Sequence, residues 1–227
     1  MSLADRIARV QEAIAAATAR SGRAANAVRL VAVTKSVPAE RVAEAYTLGL
    51  REFGENRVQE AQPKIATLAA LGIHPVWHLV GHLQTNKVGA ALRCFAILQA
   101  VDSLRLAEAI SRRVTGGPAR VLLEVNVAGE PTKFGFRPDD PQQPLADVVA
   151  AVRALPGLEV EGLMTVAPIA ANPEEVRPVF RRLAELGVAL GLRELSMGMT
   201  DDFPVAIEEG ATIVRIGRAI FGERPSR

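Results

Sequence analysis

Residues 30–36 run Leu30-Val31-Ala32-Val33-Thr34-Lys35-Ser36, and the architecture of the chain follows from how they are placed. Five apolar or β-branched side chains in a row, Leu30 to Thr34, suit a strand buried on both faces, as in a parallel sheet covered by helices. The run stops at Lys35. Pro38 follows where a helix can open, because its missing N–H costs little there. A lysine at the carboxyl end of a buried strand stands where open α/β sheets and barrels bind ligands. The plainer alternative is a solvated charge at a strand end. Composition helps to separate the two: of 27 basic residues only four are lysines, Lys35, Lys64, Lys87 and Lys133. A chain that supplies positive charge almost always as arginine has kept an amine here. Unlike guanidinium, an amine can lose its proton and attack a carbonyl to form a Schiff base. Lys35 is the leading candidate.

Outward from this strand the pattern alternates. Leu3, Ile7, Val10, Ile14 and Ala17 lie at helical spacing over residues 3–20, with Ser2 as N-cap, a helix extra to any strand–helix count. A helix over 39–48 ends at Gly49, and a strand over 50–56 leads to a helix over 57–70. Further strands are predicted at 76–80, 95–101, 120–127, 158–164, 193–196 and 213–216. Between them fall a short helix after Lys87, one running from an Asp102-Ser103 cap to about Gly116, and others at 143–154 and 173–189. Eight strands alternating with helices in 227 residues predict the α/β class and a (β/α)8 TIM barrel rather than an open sheet. No linker-like or low-complexity segment interrupts the chain, so residues 1–227 read as one domain.

The apolar fraction of 49% is ample for a large core, packed by alanine, valine and leucine because aromatics are few. The formal charge is +2 and the arginines are scattered, with no basic stripe interleaved with aromatics, so nucleic acid is not an expected partner. Cys94 is the single cysteine, which excludes an intramolecular disulfide and fits a reducing compartment. The N-terminus is amphipathic rather than signal-like and no 18-residue apolar run exists. A cytoplasmic monomer that does not engage membranes is expected.

Chemistry gathers at strand ends. Ser196-Met197-Gly198-Met199-Thr200-Asp201-Asp202 follows the seventh strand and Gly217-Arg218-Ala219-Ile220-Phe221-Gly222 the eighth. Barrels often bind phosphate with amides from these two loops, and glycine lets the backbone come close to an anion. Ser196 could donate its hydroxyl and Arg218 could add charge. The same loops also read as ordinary glycine turns, with Asp201 or Thr200 capping a helix before Pro204. Arg215 lies inside the apolar strand Ile213-Val214-Arg215-Ile216, so it must face a ligand, another charge, or solvent from the strand end. His78 and His82 have the spacing of a helical metal chelate, but a strand and Gly81 lie between them, so core or pocket-wall histidines are expected and no metal site. His82 and Asn56, both at strand-to-helix corners, would face the same end of the barrel as Lys35. Lys133 is the rival amine, in a glycine- and proline-bearing loop expected to be mobile, whereas a reactive lysine needs rigid support. An amine, a phosphate cradle and an arginine suit an aldehyde that carries a phosphate and a basic ring nitrogen, a description pyridoxal 5′-phosphate meets. A sugar-phosphate aldolase would use the lysine and the phosphate but would not need Arg215.

Several motifs also resemble those of the pyridoxal phosphate homeostasis protein family, relatives of the N-terminal barrel of alanine racemase. They are residues 31–35, Phe53 through Glu60, Trp77 through Lys87, Asn126 through Gly135, Gly162-Leu163-Met164, Ser196 through Asp202 and Arg215-Ile216-Gly217, spread over residues 31–222. The resemblance implies that Lys35 forms the internal aldimine with pyridoxal 5′-phosphate and that Arg215 faces the pyridine nitrogen. It also implies that Ser196, Gly198 and the amides around Gly217 and Arg218 hold phosphate, with Asn56 near the ring and His82 at the site. Relatives often carry a small hydroxyl residue where Arg218 stands, which leaves open whether Arg218 acts by side chain or amide. Two functions follow: a non-catalytic carrier that delivers the cofactor to apo-enzymes, or an amino-acid racemase-like enzyme. The carrier is expected. Racemisation needs an acid–base group on each face, the racemase tyrosine comes from a second domain, and the only tyrosine here, Tyr46, lies in the first crossover helix.

Overall fold

The computed structural model describes residues 1–223; the last four residues of the expected 1–227 domain lie outside them. Eight parallel strands close in chain order into a barrel: β1 (Arg29–Val33), β2 (Glu52–Glu55), β3 (Val76–Leu79), β4 (Ile97–Val101), β5 (Ala119–Glu124), β6 (Leu158–Met164), β7 (Glu194–Ser196) and β8 (Ile213–Ile216). β8 pairs back onto β1, with Arg215 opposite Val31. Crossovers run through α2 (Ala39–Thr47), α3 (Val58–Ala70), α4 (Val88–Cys94), α5 (Leu104–Ser111), α6 (Leu145–Arg153), α7 (Arg177–Ala189) and α8 (Phe203–Glu208). This is the (β/α)8 barrel the alternation predicts.

Side chains alternate across each strand and divide the core in two. Val31, Ile97, Leu122, Met164 and Ile213 fill the inside of the barrel. Ala32, Phe53, Leu98, Leu123, Leu163 and Val214 point outward and pack under the helices. Each fully buried leucine or phenylalanine contributes about 1.5–3 kcal/mol, so the outer layer carries most of the stability.

The N-terminal helix, α1 (Leu3–Arg20), is not surplus to the ring. Among the described residues β8 is followed by one helical turn, α9 (Arg218–Phe221), and α1 packs against α8 and α9 in the place a full eighth helix would take. Its buried stripe is Leu3, Ile7, Val10, Ile14 and Ala17, and a reciprocal Ser2–Asp5 capping box starts it. Arg6 Nε locks it to the Ile220 carbonyl at 2.6 Å.

Among the boundaries that differ from the sequence expectation, three have a clear physical cause. α5 stops at Ser111, whose hydroxyl donates to the Pro156 carbonyl at 2.7 Å, well before Gly116. The 173–189 helix opens with a separate 3-10 turn, Pro173–Val176, because Pro178 has no N–H with which to continue an α-helical ladder through that point. β5 ends at Glu124 because the following loop folds back: Phe136 N donates to Glu124 O and Asn126 N to Phe136 O, at 2.8 and 2.9 Å.

Candidate functional site

The site lies where the strands end, and β1 sets its geometry. Beyond Val33 the Thr34 amide still donates to Gly54 O at 2.8 Å, so register persists to the residue before Lys35. Lys35 then sits half-buried in a turn closed by Val37 N donating to Thr34 O, and Ser36 takes a φ of 63° to make it. Behind the turn lies a cluster the sequence reading missed. Lys64 of α3, only 9% exposed, pairs with Glu55 and donates to the Thr34 carbonyl at 2.7 Å. Thr34 Oγ1 donates to the same Glu55 oxygen at 2.7 Å. The backbone entering Lys35 is thereby held from outside the barrel.

Arg215 is buried on the neighbouring strand, and both of its hydrogen bonds go to neutral oxygens. Nη1 donates to Ser196 Oγ and Nη2 to the Thr165 carbonyl, each at 2.7 Å. Burial lowers its pKa to about 10, partly offset by the charges of Glu124 and Asp202. It therefore remains a cation at neutral pH, turned neither to solvent nor into an ion pair with a described carboxylate. Glu124, at the end of β5 across the barrel from β1, is pushed up to about 7 by burial and by Asp102, against the pull of Arg215 and His82. A carboxyl with that value can hold or release a proton near neutrality.

The glycine loops have the shape a close approach requires. Gly198 has a φ of 92°, and a Cβ there would meet Ala206 Cβ at 2.6 Å and Phe203 Cα at 2.9 Å. A Cβ on Gly217 would meet the Val33 carbonyl at 3.1 Å, so the loop after β8 lies directly against the strand that carries Lys35. Asp202, not Asp201 or Thr200, stands at the N-cap of α8, and its carboxylate accepts from the Met199 amide at 2.6 Å.

Two expected phosphate donors are engaged elsewhere. Ser196 is fully buried: it accepts from Arg215 and gives its own proton to Gln99 Oε1 at 2.6 Å. It pairs with Ile213, a layer below Arg215, so its side chain belongs to the barrel interior rather than the mouth. The Arg218 guanidinium is turned to Asp201 and Glu223 on the surface, which leaves its backbone amide as the group near the loop.

Asn56 and His82 do reach the mouth end, just beyond β2 and β3. Asn56 is half-buried. His82 pairs through Nδ1 with Asp102 at 2.6 Å and stacks on Phe134, ring centroids 4.0 Å apart. Asp102 thus serves His82 while Ser103 alone caps α5. His78 points into the barrel between Gln99 and Glu52, so the two histidines face different partners and do not converge on a metal. The Lys133 loop, expected to be mobile, is pinned: the Asn126 amide donates to the Glu130 and Lys133 carbonyls, and Lys133 itself pairs with Glu130 at 2.6 Å.

A family model described as the N-terminal domain of alanine racemase matches residues 9–225. A protein of Aquifex aeolicus named pyridoxal phosphate homeostasis protein is 44% identical over 232 residues, covering 99% of each chain. The chain belongs to the pyridoxal phosphate homeostasis protein family. Among solved structures of similar proteins, one from Bifidobacterium adolescentis described as unknown superposes with a TM-score of 0.86 at 39% identity, covering 96% of this chain and 94% of that one. PipY of Synechococcus elongatus, solved with PLP bound, superposes at 0.81 with 36% identity, covering 97% of this chain and all of that one.

Proposed function

We propose that the chain binds pyridoxal 5′-phosphate at the barrel mouth, with Lys35 as the covalent anchor, and serves the homeostasis of that cofactor by carrying it to apo-enzymes. The observation that carries this is Arg215, a buried cation resting on neutral oxygens beside the strand that ends in Lys35. The residues fit the group: an amine for the aldehyde, a guanidinium for the ring nitrogen, and two glycine loops whose backbone can approach a phosphate. When bound, the cofactor supplies an aldehyde that condenses with an amine and loses water.

Arg215 decides which chemistry follows. It stays protonated at neutral pH, so beside the ring nitrogen of a bound cofactor it would disfavour a proton there and weaken the ring as an electron sink. That suits holding over turnover. The proposal also takes the chain to act as a cytoplasmic monomer. Burial pushes the Cys94 thiol up, away from reactivity. Among the described residues no helix is long and apolar enough to cross a membrane.

One observation favours the racemase-like alternative: Glu124 lies across the barrel from β1 with a value matched to proton transfer. The two readings separate in one experiment. Purified protein loaded with the cofactor should restore an apo-enzyme that needs it, and chiral chromatography should show negligible racemisation of amino acids. Turnover in the usual range of roughly 1–10³ s⁻¹, lost in Lys35→Ala, would overturn the carrier reading.

A further inference from the structure

Below the mouth, a line of polar side chains runs down the inside of the barrel where the fold normally packs aliphatic residues. Arg215 Nη1 donates to Ser196 Oγ at 2.7 Å, and Ser196 Oγ donates to Gln99 Oε1 at 2.6 Å. Gln99 Nε2 lies 2.8 Å from His78 Nδ1, and His78 Nε2 lies 3.0 Å from Glu52 Oε2. At the far end Arg29 sits between Glu52 and Glu194, at 3.6 and 2.9 Å. Ser196, Gln99 and His78 are all fully buried.

The chemistry of the groups allows one consistent placement of the protons. Arginine can only donate, so Ser196 accepts from Arg215 and must spend its own proton on Gln99. The Gln99 oxygen therefore faces Ser196 and its amide nitrogen faces His78. A donor there requires a bare Nδ1, which puts the ring proton on Nε2, toward the Glu52 carboxylate. Turning the Gln99 amide over would leave the buried serine proton without an acceptor. It would also set the bare Nε2 of a neutral ring against a carboxylate. Burial pushes the Glu52 carboxyl up, but its contact with His78 and the nearby charges of Arg29 and Arg120 hold it below the usual value, so the acceptor end is anionic. The three hydrogen bonds thus point the same way, from Arg215 down to His78, whose Nε2 faces Glu52 at 3.0 Å without closing a hydrogen bond of its own.

An aliphatic layer would fill this volume without the risk that a half-satisfied polar chain carries. We propose that His78 and Gln99 are positioning residues that set the orientation of the Arg215 guanidinium, acting through the Ser196 hydroxyl. The Thr165 carbonyl fixes the second nitrogen, and Thr165 is itself tied by its hydroxyl to Val125 O at 2.7 Å. The guanidinium plane is then set by two anchors, one of which is specified from the opposite end of the barrel. The link to cofactor binding rests on the function proposed above; the relay itself does not.

The test reads the ring nitrogens of His78 in ¹⁵N-labelled full-length protein by long-range proton–nitrogen correlation. The unmodified chain should show the proton on Nε2 and a bare Nδ1. Ser196→Ala frees the Gln99 amide to turn, so the two nitrogens of His78 should converge towards a mixture while those of His82 stay unchanged. Gln99→Glu, similar in size but acceptor-only, should move the ring proton to Nδ1. A His78 pattern unchanged in both variants would overturn the relay. In a second arm, Gln99→Leu should weaken pyridoxal 5′-phosphate binding by at least about tenfold, the scale on which outer hydrogen bonds act on a binding group. Borohydride should still mark Lys35. Unchanged affinity would overturn the positioning role. Absence of cofactor binding by the unmodified chain would instead overturn the proposed function, with the nitrogen measurement still deciding the relay.

Discussion

The inner and outer faces of the barrel mouth treat charge in opposite ways. Outside, under α3, Lys64 and Glu55 cancel each other, and the lysine also closes onto the Thr34 carbonyl. Inside, Arg215 rests on neutral oxygens and Glu124 is pushed up to about 7, so those charges are not cancelled by a close ion pair of the Lys64–Glu55 kind. The contrast separates two lysines that composition alone makes alike. An amine locked onto a buried carboxylate and the Thr34 carbonyl serves the backbone. The amine one residue beyond that backbone, Lys35, is the one proposed to anchor the cofactor.

The largest expected effect would break the outer face. Lys64→Met or Glu55→Ala alone leaves a buried charge without its partner and should cost about 3–5 kcal/mol in urea unfolding. The apolar pair Glu55→Leu with Lys64→Met should recover most of that loss. If each single variant were as stable as the parent, the pair would not be the clamp described. The inner face is probed by Glu124→Gln. Between pH 4.5 and about 7 the folded state keeps a proton that an unfolded glutamate has given up, so native stability falls across this window and then levels. The glutamine variant escapes the fall. It should match the parent near pH 4 and exceed it by up to about 3 kcal/mol at pH 8. A stability difference independent of pH would contradict the assignment.

Much of this was legible in advance, and the reason lies in which signals are local. The strands, the barrel and α1 follow from side-chain periodicity, and Lys35 follows from one charge ending one apolar run. Gln99 and Glu124 carry the signal that singled out Arg215, a polar residue inside an apolar strand: Ile97-Leu98-Gln99-Ala100-Val101 and Val121-Leu122-Leu123-Glu124-Val125. That signal could have found them. Lys64, by contrast, sits on a helix, where a lysine reads as solvated, and only the meeting of α3 with the end of β2 reveals it. The inward turn of Ser196 was hidden for the same reason, since its partners lie on β4 and β8.

Smaller effects sharpen the comparison further. Unphosphorylated pyridoxal should bind at least about tenfold more weakly than the phosphate ester, because charge-assisted bonds to loop amides are worth roughly 1.5–3 kcal/mol each. Equal dissociation constants in a titration would reduce Gly198 and Gly217 to ordinary turns. Thr34→Val removes one donor from Glu55 while keeping the ion pair, and should cost only about 1 kcal/mol in the same unfolding assay. A much larger loss would mean that the hydroxyl, not Lys64, holds the outer cluster together.

The central claim is that Lys35, and neither Lys64 nor Lys133, is the amine that anchors the cofactor. Reduction of the pyridoxal 5′-phosphate adduct with borohydride, followed by peptide mapping, tests it directly. The label should fall on Lys35 and vanish in Lys35→Ala; a label on Lys133 or Lys64, or one that survives Lys35→Ala, would contradict the account.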